Sequence, residues 1–126
     1  MKKKEAEEQI AIMNWAEYNM GRFPDLVMLY HVPNGGQRNA IEAANLKRQG
    51  VKAGVSDLVL ASGHGGYFGL YIELKADKTC KASEHQLKWI ENLKAQGYQA
   101  GVCYGAEHAI KVLERYLSLP RTKVPV

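Results

Sequence analysis

A chain of 126 residues with 46% hydrophobic and 24% charged side chains is large enough for one cored domain and too small for two. Seventeen Lys and Arg against thirteen Asp and Glu leave a formal net charge of +4, a mild basic excess that suits a polyanionic partner without requiring one. No apolar run reaches the roughly 20 residues of a membrane span, and Met1-Lys2-Lys3-Lys4 runs into glutamates rather than into the apolar stretch of a signal peptide. Cys80 and Cys103 lie in no CxxC or HxxxH spacing that would hold zinc, so two reduced thiols in a cytoplasmic protein are expected.

Ile10, Met13, Ala16 or Glu17, and Met20 recur at helical spacing with Ala6 and Gln9 on the same side, which predicts a first helix from about Glu5 to Met20 stopped by Gly21. Phe23-Pro24-Asp25 reads as a turn and Leu26 to Val32 as a buried strand. Pro33-Asn34-Gly35-Gly36-Gln37-Arg38 forms a tight turn into a second helix, N-capped by Asn39, running to about Gln49 and ended by Gly50.

Residues 54–75 are the stretch around which the chain is organised. Leu58-Val59-Leu60-Ala61 and Tyr67 to Leu74 are short apolar runs on either side of Ser62-Gly63-His64-Gly65-Gly66, the composition of a β-hairpin. Pairing about Gly65 matches positions whose numbers sum to 130 and sets Asp57 opposite Glu73. Strand alternation turns Glu73 and Lys75 to one face and Ile72 and Leu74 to the other. Two carboxylates and one ammonium then converge at the end of two strands. As structure this is poor, since facing like charges destabilise a sheet by roughly 0.2–1 kcal/mol. As chemistry it is apt, because carboxylates are the oxygen ligands that a hard cation such as Mg²⁺ takes. A D…ExK spacing alone is short and common, and a solvated ion pair is its ordinary meaning. Here the charged group adjoins an almost wholly apolar strand, which places it at a core boundary.

Ala76 to Ala82 is a polar loop carrying Lys78 and Lys81. Ser83-Glu84-His85-Gln86 opens a third helix as a capping box, with Leu87, Ile90, Leu93 and Lys94 as its stripe and Gly97 as its stop. Tyr98 to Tyr104 is a short strand, and a last helix from Gly105 or Ala106 buries Ala109, Ile110, Leu113, Tyr116 and Leu117. The order helix, strand, helix, hairpin, helix, strand, helix describes an α/β sandwich on a small mixed sheet, with the last strand parallel to its neighbour. Residues 1–119 form the single domain, and 120–126 an extended, mobile tail.

With these elements in place, HVPNGGQR at 31–38, GVKAGVSDLVL at 50–60, YIELK at 71–75, SEHQLKWIENLKAQGY at 83–98 and EHAIKVLERYL at 107–117 resemble the virus-type replication-repair nuclease (VRR-NUC) domain, a branch of the PD-(D/E)XK superfamily. They come in that family's order and cover most of the chain. One position departs: the family usually has proline before the aspartate, and here it is Ser56. The resemblance implies a restriction-endonuclease-like three-layer sandwich, its small mixed central sheet flanked by helices. It also implies a Mg²⁺- or Mn²⁺-dependent endonuclease hydrolysing phosphodiester bonds in DNA during phage or bacterial replication or repair. Such an enzyme would work in the bacterial host cytoplasm if it is phage-encoded.

Asp57 and Glu73 match the family's metal ligands, with the backbone carbonyl of Leu74 as a third, and Lys75 matches the lysine that orients or activates the attacking water. Gln86 matches a glutamine lining the site, although helix capping accounts for it equally well. A glutamate from the first helix is also implied. Glu5, Glu7 and Glu8 compete; Glu5 is favoured, with Gln9, Ile12, Met13 and Ala16 continuing its helical face, and Glu8 is the fallback. Asn34, Gly35 and Gly36 would bring backbone amides close to DNA, with Arg38 on a phosphate, unless the glycines serve only the turn. Lysines 2–4, Lys78 and Lys81 would extend a phosphate track. Small stand-alone relatives are expected to be homodimers, here through the first helix around Trp15 and Tyr18, cutting branched DNA and in particular four-way (Holliday) junctions. A flap- or fork-specific nuclease, a sequence-specific restriction-type enzyme and a catalytically inactive DNA-binding module are the alternatives.

Overall fold

The computed structural model of the chain describes residues 3–33 and 38–125. Helix α1 spans Lys3–Tyr18, a 3₁₀ turn covers Pro24–Met28, and strand β1 is Leu29–His31. Helix α2 (Ala40–Arg48), strands β2 (Leu58–Leu60) and β3 (Leu70–Lys75), helix α3 (Glu84–Ala95), strand β4 (Gln99–Tyr104) and helix α4 (Gly105–Leu117) follow. The strands lie in the order β1-β2-β3-β4. The first two pairings are antiparallel, and β3 and β4 run parallel, as a helical crossover between them requires. Leu58↔Ile72, Val59↔Tyr71 and Leu60↔Leu70 are partners, so the predicted register holds at every rung.

Alternation on the sheet builds the layers. Leu58, Leu60, Leu70, Ile72, Leu74 and Cys103 pack with Ile12 and Ala16 of α1 and with Ala109, Leu113 and Tyr116 of α4. Tyr71, Ala100 and Val102 point the other way, against Trp89, Ile90 and Leu93 of α3. The result is a three-layer α/β sandwich. Both cysteines are free, and burial pushes the Cys103 thiol up to about 11.

The caps follow the sequence closely. Asn39 Oδ1 accepts the Glu42 N–H at 2.8 Å, Ser83 and Gln86 close a capping box, and Gly50 and Gly97 take φ of 106° and 93° just after their helices. Elsewhere the prediction is corrected. Helix α1 ends at Tyr18, where Asn19 caps it by donating its side-chain amide to the Trp15 carbonyl. The inward line is Ile12 and Ala16, while Ile10 is 60% exposed. On α3, Ile90 and Leu93 are buried but Leu87 and Lys94 face solvent. The predicted strand from Leu26 starts with a 3₁₀ turn, because Pro24 presets its first residue. The hairpin strands are shorter than their apolar runs, and Tyr67 and Phe68 sit exposed in the connecting loop.

The largest correction concerns the C-terminal segment, which is extended but pinned. Gly65 N–H donates to the Pro120 carbonyl at 2.7 Å and Thr122 N–H to the Gly63 carbonyl at 3.0 Å. Buried His64 is the centre of this latch: its Nδ1–H donates to the Leu119 carbonyl at 2.9 Å, and its Nε2 lies 3.0 Å from Asp25 Oδ2 and 3.1 Å from Ser62 Oγ. The Arg121 guanidinium donates to Asp25 Oδ1 at 2.7 Å, and the Tyr116 hydroxyl donates to the Ser62 carbonyl at 2.7 Å. Replacing His64 by alanine strands several of these groups and should cost about 2–3 kcal/mol. Arg121→Ala removes one largely exposed ion-pair partner and should cost less than about 1 kcal/mol. Urea unfolding of the two variants measures the difference.

Candidate active site

Four chain segments meet at one edge of the sheet. Strands β1, β3 and β4 end there and β2 begins there, a consequence of the pairing directions. Asp57 stands one residue before β2. Its main-chain carbonyl accepts the Val32 N–H at 2.8 Å and the His31 Nδ1–H at 2.9 Å. Its Oδ2 accepts the Leu74 N–H at 2.8 Å, replacing a backbone acceptor where β3 outruns β2. The loop feeding Asp57 lies hard against the start of α3. A Cβ at Gly54, whose φ is +82°, would sit 2.5 Å from the His85 carbonyl, so only glycine fits there.

Glu73 lies in mid-β3 on the α3 face and is 2% exposed. Its Oε2 is 3.9 Å from Lys75 Nζ, and its Oε1 is buried with no hydrogen-bond partner. Burial pushes the Glu73 carboxyl up to about 9, helped by Asp57, close enough to share a proton with it; Lys75 opposes the shift, and Glu5 adds to it. The two carboxylates and the ammonium therefore come together as the hairpin register requires.

Glu5 reaches this environment from the first turn of α1, whereas the Glu8 carboxylate stands at the β4–α4 junction, 3.4 Å from where a Gly105 Cβ would be. Gln9, one turn beyond Glu5, and Ser56, beside Asp57, also bury a side-chain oxygen without a partner. Glu73, Gln9 and Ser56 thus supply three of the four such atoms among the described residues. Gln86 sits nearby in the first turn of α3, but its Oε1 accepts the Ser83 N–H at 2.8 Å, so its oxygen is committed to the cap. Arg38 donates to the Pro33 carbonyl at 3.3 Å. Asn34, Gly35 and Gly36 lie outside the described residues. Lys78 and Lys81 are exposed on the loop after β3.

The sequence gives no sign of what His31 does: its ring fixes Asp57 through the main chain, a contact spanning 26 residues. The unpartnered Ser56 hydroxyl is likewise a product of packing. Its only visible signal is its place where proline is usual in the family that the chain resembles.

Among the described residues no group of three or more His, Cys, Asp or Glu could hold a metal ion. The donors available are instead two carboxylates beside a main-chain oxygen, hard ligands that leave room for water and suit Mg²⁺ or Mn²⁺. The unpartnered Glu73 oxygen and a buried carboxyl pair that holds on to a proton fit a divalent cation at this point, which would partner the one and take the place of the other.

Two grooves flank the carboxylates. Toward β1, an apolar groove of about 570 Å³ is lined by Val32, Arg38, Leu46, Val51, Val55 and Trp89, among others. Toward β4, a second one of about 410 Å³ is lined by Lys78, Tyr104, Glu107, His108 and Lys111.

The model of the VRR-NUC domain matches residues 2–107. A solved structure described as a VRR_NUC domain protein is 34% identical, with a TM-score of 0.82 over 98% of this chain and 99% of that one. No curated protein matches the chain.

In metal-free buffer Glu73→Gln should stabilise the fold by on the order of several kcal/mol at pH 8. A folded-state value near 9 against an ordinary 4.5 means that the folded chain holds a proton which the unfolded chain releases over that interval. Wild-type stability therefore falls as pH rises from 4.5 to 9. The advantage of the glutamine variant should grow over the same window and vanish below it. Thermal unfolding at several pH values in chelator checks the sign.

Proposed function

The chain belongs to the VRR-NUC domain family of nucleases, and from that premise we propose that it is a Mg²⁺- or Mn²⁺-dependent endodeoxyribonuclease acting on branched DNA, above all on four-way junctions. The observation that carries the reading is the meeting of Asp57, Glu73 and Lys75 at one sheet edge, with a buried Glu73 oxygen left unpartnered.

Asp57, Glu73 and the Leu74 carbonyl would hold the cation. When bound it supplies Lewis-acid activation of water and of the phosphoryl oxygen, and it offsets charge on the leaving oxygen. The protein's own groups do the positioning. His31 and the Leu74 N–H fix Asp57 from two sides. Lys75, its side chain 13% exposed, is held at the boundary between core and solvent. There its ammonium can orient a water or bind a non-bridging phosphate oxygen. Glu5 from α1, and the Gln86 amide hydrogens that the capping box leaves over, would help to orient the same water. Main-chain groups and Arg38 of the turn after β1 would fix the DNA backbone rather than read its sequence.

A single catalytic set cuts one strand in each docking event, and a four-way junction presents two equivalent strands about a two-fold axis. A homodimer supplies two sites with matching symmetry. Its formal charge, twice the +4 of one chain, suits a wide polyanion. Tyr18, 94% exposed at the end of α1, offers apolar surface for such a contact, whereas Trp15 packs against the core and is the weaker candidate.

Asp57→Asn and Lys75→Ala should each lower Mg²⁺- or Mn²⁺-dependent cleavage of a synthetic junction by roughly 10²–10³-fold while leaving the protein folded. Glu5→Gln should reduce cleavage substantially and Glu8→Gln little. Full activity in chelator, or in the Asp57 variant, would overturn the proposed site.

Light scattering should show a dimer at micromolar concentration, and a supercoiled cruciform plasmid should be linearised by paired nicks. A strict monomer that linearises the cruciform would refute the dimer, and a monomer that cuts only flaps or forks would assign that substrate instead.

A further inference from the structure

Resting on the nuclease reading above, we propose that the groove at the β4–α4 junction, lined by Lys78, Tyr104, His108 and Lys111, is the subsite that grips a DNA backbone phosphate flanking the one being cut. The register places it. Lys75 and Tyr104 are partners on the parallel pair, so the Tyr104 end of the groove begins about one strand spacing, roughly 4.8 Å, from the lysine of the catalytic row, at the same end of the sheet. A DNA strand crossing the carboxylates along this sheet edge continues over β4 and meets it.

The chemistry of the lining matches a phosphodiester. The Tyr104 N–H donates to His108 Nδ1 at 3.0 Å. That bond requires a lone pair on Nδ1, so the neutral ring carries its proton on Nε2, away from the Tyr104 main chain. The bond also holds the ring flat against its neighbour: the Tyr104 and His108 planes are 13° from parallel, with centroids 6.1 Å apart. Lys111 follows His108 on the same side of α4, three residues on, and Lys78 comes from the loop after β3. Two ammoniums and one fixed N–H thus surround an open space beside a pair of stacked rings. A phosphodiester has acceptor oxygens only and an attached sugar and base that can lie on such rings.

Glu107 is the one carboxylate lining the groove, 3.4 Å from Lys111 Nζ, and it competes with the phosphate for that lysine. His108 and Lys111 lie past residue 107, where the family match stops, so the match gives them no role. Lys81 does not line the groove, and the subsite makes no use of it.

The test is DNA binding by fluorescence anisotropy across a salt series. It uses a labelled four-way junction and the full chain carrying Glu73→Gln to prevent cleavage. Lys78→Ala with Lys111→Ala should weaken binding about 10-fold at moderate salt and flatten the slope of log K against log salt by between 1 and 2. His108→Ala should weaken binding about threefold. Glu107→Gln should tighten it by about two- to threefold, the opposite sign from its neighbours. Lys94→Ala, at the far end of α3, serves as the control and should change neither. Affinity and salt slope of the double variant within twofold of the parent would overturn the subsite, as would weaker binding by Glu107→Gln. If the double variant fails to fold, Lys111→Ala alone decides, its side chain being 68% exposed. A wild-type chain that neither binds nor cuts DNA with Mg²⁺ or Mn²⁺ would overturn the nuclease reading itself. A chain that cuts, with a double variant that binds undiminished, would overturn the subsite alone.

Discussion

Glu73 sets the terms for the rest of the molecule. A carboxylate buried in mid-strand, with one oxygen unpartnered and a second carboxylate within proton-sharing distance, is unfavourable in any apolar setting. The strand cannot turn it outward, because alternation would carry Ile72 and Leu74 out of the core with it. Nor can Asp57 withdraw, since its main chain is tied to β1 by His31 and Val32 and its side chain to the backbone of β3. The crowding is held in place by everything around it: burial and Asp57 keep a proton on Glu73, and Lys75 offsets only part of that shift. Such an arrangement is understandable where the free energy is recovered on binding a cation.

How much of the fold was legible follows from which interactions are local. Capping and stopping signals involve neighbours in sequence, and Asn39, Ser83 with Gln86, Gly50 and Gly97 were all readable. The hairpin register was readable too, because two apolar runs symmetric about Gly65 admit few pairings. What failed depended on distant partners. The apolar stretch from Leu26 looks like a strand, yet Asp25 bonds with Ser62 and Arg121, and Pro24 fits the 3₁₀ turn that delivers it. Residues 120–122 read as a loose end because nothing in PRT announces that His64, more than fifty positions earlier, is waiting for the Leu119 carbonyl. The first helix had two candidate faces, and its packing on α4 selected the one through Ile12 and Ala16.

The site divides along the same line. That Asp57, Glu73 and Lys75 converge was legible from the hairpin register and strand parity; a role for them was not, since the spacing alone is common and resemblance to a family supplied it. Glu5 was not: three acidic residues within four positions present the same composition, and only resemblance to a family ordered them. The fold gives that ordering a physical correlate, since Glu5 acts on Glu73 while Glu8 stands beside Gly105. Gln86 carries two readings that the structure does not set against each other. Its oxygen closes the capping box, and a side-chain amide has two donor hydrogens besides.

The two edges of the sheet are built on opposite principles. At the loop joining β2 to β3, His64, Ser62, Asp25, Tyr116 and Arg121 satisfy one another's hydrogen-bonding groups, and the chain's last residues are drawn in to complete the set. At the other edge the buried polar groups are left incomplete, in Glu73, Ser56 and Gln9. A four-stranded sheet of three- to six-residue strands is short enough that fraying at either end would reach the middle. Closing one end with a cooperative polar latch lets the other keep its crowded carboxyl pair and its open grooves without losing register. Ser62 and His64 therefore support the register that brings Asp57 and Glu73 together from the far end of the same hairpin, without touching either.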